Sequence, residues 1–203
     1  MHITEGVLAW PVLAAGAAVA AGGAALALKR LEEDRIPQAG ILAAGFFVAS
    51  LVHVPIGPSN VHLVMNGLLG LLLGWTAFPA ILVGLILQAA LFQFGGFTTL
   101  GVNTVIMAAP AVTVHYLFRA GVRSDNRTLS LVSSFLCGAA AVLMGSLLVA
   151  ASLVFTGEAF LGVARLVVVA HLPVTVIEGV ITAFCVVFLK RVKPEILEVL
   201  HAR

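Results

Sequence analysis

The chain is short of almost everything a water-soluble protein uses. Only 10% of its 203 residues are charged, against about 25% in ordinary globular domains, while 61% are hydrophobic and the mean hydropathy is +1.14. That balance excludes a soluble globule and leaves an integral membrane protein. Cysteine is nearly missing as well. Cys137 and Cys185 both sit in apolar runs, which excludes a disulfide framework and a thiolate metal site and suits packing. There is no GxxxxGK[ST] phosphate loop and no polar stretch longer than a few residues, so ATP hydrolysis has no place in this chain. HExxH is absent too, which disfavours an intramembrane metalloenzyme, as does a donor set with no open position. Beyond phenylalanine the aromatics are Trp10, Trp75 and Tyr116, too few to line a vitamin-sized pocket. No internal repeat is visible and one carboxylate, Glu178, lies deep in a span, which argues against a secondary carrier or passive channel. The opening segment has neither a basic n-region nor a small-residue cleavage site, so it reads as a retained helix and not a signal peptide. Residues 1–203 therefore read as a single transmembrane domain, surrounded by lipid and with no expected nucleic-acid partner.

What is present is a series of apolar runs. They fall at about 7–28, 38–54, 62–74, 77–94, 102–118, 129–155 and 160–189, the longer ones sufficient to cross a hydrocarbon core of about 30 Å. Ala and Gly crowd the first, as suits close helix approach. The runs at 62–74 and 77–94 could form one long helix or two short antiparallel ones. Charge decides for two. With seven spans, the cations of residues 29–35, Arg119, Arg123 and Arg127, and Lys190, Arg191, Lys193 and Arg203 fall on one side, ten of eleven in all, and the positive-inside rule makes that side cytoplasmic. The fold class is therefore all-α, with seven transmembrane helices, the N-terminus outside and the C-terminus cytoplasmic. Between the second and third spans, His53-Val-Pro-Ile-Gly-Pro-Ser-Asn-Val-His62 breaks helical structure at Pro55, Gly57 and Pro58. Irregular backbone at membrane depth is tolerated only where protein or a polar cavity covers it, so a ligand site is expected there.

The first six residues, Met-His-Ile-Thr-Glu-Gly, supply the chemistry. The Met1 α-amine, the His2 amide nitrogen and the His2 imidazole Nδ1 stand at the spacing that closes fused five- and six-membered chelate rings on one ion. His at position 2 stops the chelate at three nitrogens, so a fourth donor must come from elsewhere, and His62 is the candidate. Amine, amide and imidazole nitrogens in a plane suit Ni(II), Cu(II) or Co(II), whereas zinc prefers tetrahedral sets and Mg(II) or Ca(II) want oxygen. Initiator Met is trimmed before small residues, so the bulky His2 is expected to retain Met1. Ser59 and Asn60 could hydrogen-bond His62 or close the loop.

Ionisable groups inside spans are functional candidates. His115, beside Tyr116, reads as an interfacial residue that snorkels, and Arg165 as one that snorkels outward or pairs with Glu158. His171 and Glu178, seven apart, share a helix face loosened by Pro173 and either support the site from behind its ligands or lock helices together. A Glu so far from either end should be protonated or hydrogen-bonded.

Four stretches together, MHITEG, the loop from Gly57 to His62 of the form Gly-x-Ser-x-x-His, FGGFTTLGVNT (Phe94 to Thr104) and HLPVTVIEGVITAFCVVFL (His171 to Leu189), resemble the CbiM/NikM family. These are substrate-capture (S) components of energy-coupling-factor importers for cobalt and nickel. The resemblance implies a seven-helix fold with the N-terminus tucked into the bundle and a metal held by Met1, His2 and His62. It also implies separate partners: a transmembrane coupling subunit, ATPase subunits and a small accessory membrane protein in a prokaryotic cytoplasmic membrane. Co2+ or Ni2+ would be cargo and not a cofactor, and the motif wording is closer to the cobalt branch, which feeds cobalamin biosynthesis. Where relatives often have Gly-Gly-Thr-Ser-Gly-His, this chain has Gly57-Pro-Ser-Asn-Val-His62, a stiffer loop.

Overall fold

Apolar sequence in lipid must satisfy its backbone internally, and helices do so. In a computed structural model of the protein, which describes residues 2–51, 53–56 and 59–198, the chain folds as α1 (Trp10–Lys29), α2 (Ile36–Ala49), α3 (Asn66–Leu73), α4 (Ala77–Phe92), α5 (Leu100–Arg123), α6 (Arg127–Thr156), α7 (Leu161–Val192) and the single turn α8 (Glu195–Glu198). Pro11 and Pro37 sit in the first turns of α1 and α2, where the missing N–H costs nothing. Asn126 caps α6, its side chain accepting from the N–H groups of Thr128 (3.0 Å) and Leu129 (3.1 Å). Among the described residues, five segments are long and apolar enough to cross a membrane: Trp10–Lys29, Asn66–Phe92, Leu100–Arg123, Arg127–Thr156 and Glu158–Val192. The protein is thus a helical multi-pass membrane protein with a short ribbon between α2 and α3.

Contacts give the direction of each element. Ala9 N–H donates to Thr156 Oγ1 (3.3 Å), so α1 begins where α6 ends. Lys190 Nζ donates to the Ser124 carbonyl (2.9 Å), so α7 ends beside the end of α5, at the opposite pole. The segment Asn66–Phe92 bends back on itself. His62, just ahead of α3, and Gln88, late in α4, both meet His2. The far end of α3 lies instead against His115, fifteen residues into α5. A 3-10 turn, Gly74–Thr76, makes the reversal, with Gly74 at φ +56°.

α3 is short because it is wrapped. All eight of its residues are buried, and Gly67 and Gly70 lie so close to Gly138 of α6 and Ala111 of α5 that a side chain at either would collide with backbone.

Three expectations are corrected. The second span ends at Ala49, not at residue 54, because Ser50 Oγ donates to the Phe47 carbonyl (2.8 Å) and the chain then turns into a strand. The loop that follows is not irregular: β1 (His53–Ile56) and β2 (Ser59–His62) pair antiparallel, His53 opposite His62. His115 does not snorkel. It is 8% exposed, and its Nδ1 donates to the carbonyls of Gly70 and Leu71 at 3.1 Å each, in the last turn of α3.

Candidate metal centre

The N-terminal segment is held like an added strand. Ile3 N–H donates to Asn103 Oδ1 (2.9 Å) while Asn103 Nδ2 donates back to the Ile3 carbonyl (3.1 Å) and to Thr99 Oγ1 (3.2 Å). One carboxamide near the start of α5 therefore satisfies both backbone groups of a buried residue. Two residues on, Glu5 Oε1 accepts from the Thr98 N–H (3.0 Å). Gly95 and Gly96 make room for this, at φ +78° and +132°. A Cβ on Gly95 would stand 2.9 Å from Asn103 Nδ2, and one on Gly96 2.7 Å from the Glu5 carboxylate, so side chains there are excluded by both conformation and space.

This seating buries His2, 1% exposed, against His62, 3% exposed. Their rings stack with centroids 4.6 Å apart and 27° between planes, and His2 Nδ1 faces His62 Nε2 at 3.1 Å. The other nitrogen of each ring is already engaged: His62 Nδ1 lies 2.7 Å from the Leu63 carbonyl and His2 Nε2 lies 2.5 Å from Gln88 Oε1. A carbonyl oxygen only accepts, so His62 carries its proton on Nδ1 and turns the Nε2 lone pair toward His2. Burial holds the His62 imidazole well below its usual pKa, with nearby His2 and His171 opposing a second proton. It is neutral, which is the ligating form. Metal–imidazole bonds of about 2.0–2.1 Å at right angles would separate two adjacent donor nitrogens by about 2.9 Å, close to the observed 3.1 Å.

The loop that carries His62 is fixed from below by Glu178. This α7 residue, fully buried, accepts the Val64 N–H (2.5 Å) on Oε1 and the Met65 N–H on both oxygens (2.9 and 3.0 Å). Met65, at φ +52°, is the N-cap of α3, so the carboxylate meets the cap N–H at the helix start and the N–H of the residue before it.

Of the residues singled out in the sequence, His2 and His62 are brought together. Glu178 reaches the base of the His62 loop. His171 is fully buried, its Nδ1 bonded to the Val167 carbonyl (2.7 Å) and its Nε2 without a hydrogen bond among the described residues. Met1 lies outside the described residues, as do the side chains of Ser59 and Asn60. Among the described residues no three His, Cys, Asp or Glu side chains converge closely enough to hold a metal. Sequence reasoning missed Gln88, Ser50 and Asn103, neutral polar residues in apolar surroundings. The signal was there in Gln88, alone among Leu, Ile and Ala, since a buried amide at membrane depth is costly without partners.

The fold is a multi-pass helical bundle with a buried imidazole pair at one pole, and imidazole nitrogens suit divalent ions such as Zn2+, Cu2+ and Ni2+; comparison with known proteins points to metal transport. Residues 2–196 match the family described as the cobalt uptake substrate-specific transmembrane region, so this chain belongs to the CbiM family, a family of metal transport proteins and not of enzymes. It is 42% identical to a Haemophilus influenzae protein provisionally named a metal transport protein, over 97% of each chain. It is 33% identical to the cobalt transport protein CbiM of Sorangium cellulosum, over 98% of this chain and 95% of that one. A crystal structure described as a transition metal transporter superposes with a TM-score of 0.77 at 28% identity, covering 95% of this chain and 93% of the other.

Proposed function

We propose that this protein captures Co2+ at the outer face of a prokaryotic cytoplasmic membrane, as the substrate-specific component of an ATP-driven energy-coupling-factor importer that supplies cobalamin biosynthesis. The Met1 amine, the His2 amide and Nδ1, and His62 Nε2 form the donor plane. Loss of the amide proton leaves the site with one net positive charge in place of two, which makes burial less costly. Ni2+ suits the same four nitrogens and is the alternative cargo. The topology is seven-pass, α1 to α7 alternating in direction, with the N-terminus outside and the C-terminus in the cytoplasm. It is supported by the return of Asn66–Phe92 to the pole it left and by the clustering of cations at the other. Release to the cytoplasm is driven by a transmembrane coupling subunit and ATPase subunits, with a small accessory membrane protein. Ser59 and Asn60 close the loop, and Glu178 and His171 support it from α7.

The observation that carries this reading is the His2 Nδ1 to His62 Nε2 approach at 3.1 Å. Its test is to block the terminus. One extra residue ahead of Met1, or acetylation of its amine, abolishes Co2+ binding measured by titration calorimetry while leaving the melting temperature unchanged. Undiminished affinity after blocking removes Met1 from the donor set. Co2+ uptake by vesicles containing this chain alone, with no ATPase, would instead make it a passive or proton-coupled carrier.

A further inference from the structure

His2 Nε2 meets Gln88 Oε1 at 2.5 Å, and the same amide continues through its Nε2 to Ser50 Oγ. Ser50 Oγ in turn donates to the Phe47 carbonyl at 2.8 Å. The direction of this chain of bonds is dictated from its far end. A backbone carbonyl has no proton, so the Ser50 hydroxyl spends its hydrogen there and can only accept from Gln88. Gln88 must then present its NH2 to Ser50 and its oxygen to His2. An oxygen at that position requires the proton of His2 on Nε2. Gln88 and Ser50 are both 0% exposed, so neither end of the chain of bonds is open to bulk solvent.

We propose that Gln88, oriented by Ser50, is a positioning residue that fixes the His2 imidazole as the Nε2–H tautomer and so keeps Nδ1 as a metal donor. The inference rests on the metal-capture reading and deepens it by naming what makes the claw receptive before any ion arrives. Without Gln88 the alternative tautomer has a ready partner. A proton on Nδ1 would be donated to His62 Nε2, 3.1 Å away, and the two imidazoles would satisfy each other and close the site. Outer partners of ligating histidines act in this way in metal sites generally, holding the tautomer and the ring plane. They are seldom neutral amides, and here α4 and the end of α2 supply the device from elements that contribute no ligand.

The test reads the tautomer and the affinity separately. Metal-free protein labelled with 15N-histidine, in nanodiscs, gives long-range proton–nitrogen correlations that distinguish a protonated ring nitrogen from a bare one, with His2 assigned by its loss in His2→Ala. The wild type is expected to show His2 protonated on Nε2. Gln88→Leu moves that proton to Nδ1 and weakens Co2+ binding by about 10–100-fold. Gln88→Glu, which still offers an acceptor, keeps the Nε2 proton and binds Co2+ within about threefold of the wild type. Ser50→Ala, which frees the amide to invert, gives a mixture of tautomers and an intermediate loss. An Nδ1-protonated His2 in the wild type, or Gln88→Leu with unchanged tautomer or unchanged affinity, overturns the inference. So does a loss in Gln88→Leu that Gln88→Glu shares, because packing alone would then explain it. Failure of the wild type to bind Co2+ overturns the capture reading and this inference together, whereas normal binding by Gln88→Leu overturns this inference alone.

Discussion

His62 and His115 are both buried histidines, and both spend Nδ1 on backbone carbonyls, yet they belong to different trades. His115 lies at the reversal between α3 and α4, where its Nδ1 donates to the carbonyls of Gly70 and Leu71. Its second nitrogen packs near Gly74. His62 lies at the opposite pole, where its Nδ1 bond to Leu63 aims Nε2 at a second imidazole. Burial and a carbonyl partner are thus common to a structural and a ligand-like histidine. What separates them is the neighbour of the remaining nitrogen, backbone in one case and another donor in the other.

The contrast can be broken most directly by removing each ring in turn. His62→Ala is expected to weaken Co2+ binding by more than about 100-fold, beyond what outer partners usually contribute, in calorimetric titration. If His115→Ala matches it, the distinction fails. Removal of the Glu178 carboxylate sharpens the comparison from below. Glu178→Ala leaves two backbone donors unanswered at about 1–3 kcal/mol each, so the melting temperature falls and Co2+ affinity drops by about tenfold as the His62 loop loosens. Retained affinity in a folded Glu178→Ala protein would show that the loop holds itself.

Acid provides a third lever. Capture displaces the amide proton and, below the ordinary amine range of about 7.7–8.0, the α-amine proton as well, so Co2+ affinity should fall as pH is lowered from about 8 to 6, by about tenfold per unit for each proton released. His62, whose pKa burial pushes well below the usual imidazole value, adds no further proton. A dependence steeper than two protons per ion in binding titrations at stepped pH would mean that an imidazole also competes with the ion. The smallest effect on binding belongs to His115→Phe. Affinity stays within about twofold, while two carbonyls lose a donor and stability falls by about 1–3 kcal/mol in thermal unfolding.

The long elements were legible because lipid enforces a simple rule: apolar runs at 129–155 and 160–189 correspond to α6 and α7 within a few residues. The end of α2 was not, because Leu51, Val52 and Val54 are as apolar as any helix interior. Only the Ser50 cap and the pairing of β1 with β2, both tertiary facts, stop the helix at Ala49. The site divided in the same way. His2 and His62 could be picked out by side-chain chemistry alone. Gln88 and Asn103 could not be given roles, since a neutral amide in an apolar helix declares a need for partners without naming them, and its partners are 86 and 100 residues away. His115 was misread because its position near a span end says nothing about the reversal at Gly74 that buries it.

Every residue of α3 is buried, and that insulation has a mechanical corollary. The ribbon bearing His62 runs into an element enclosed by protein, whereas His2 stands just ahead of α1, most of whose residues are exposed. Changes in lipid thickness or lateral pressure therefore act on the two imidazoles unequally: His62 feels them only through neighbouring helices, His2 through a helix with most of its surface outward.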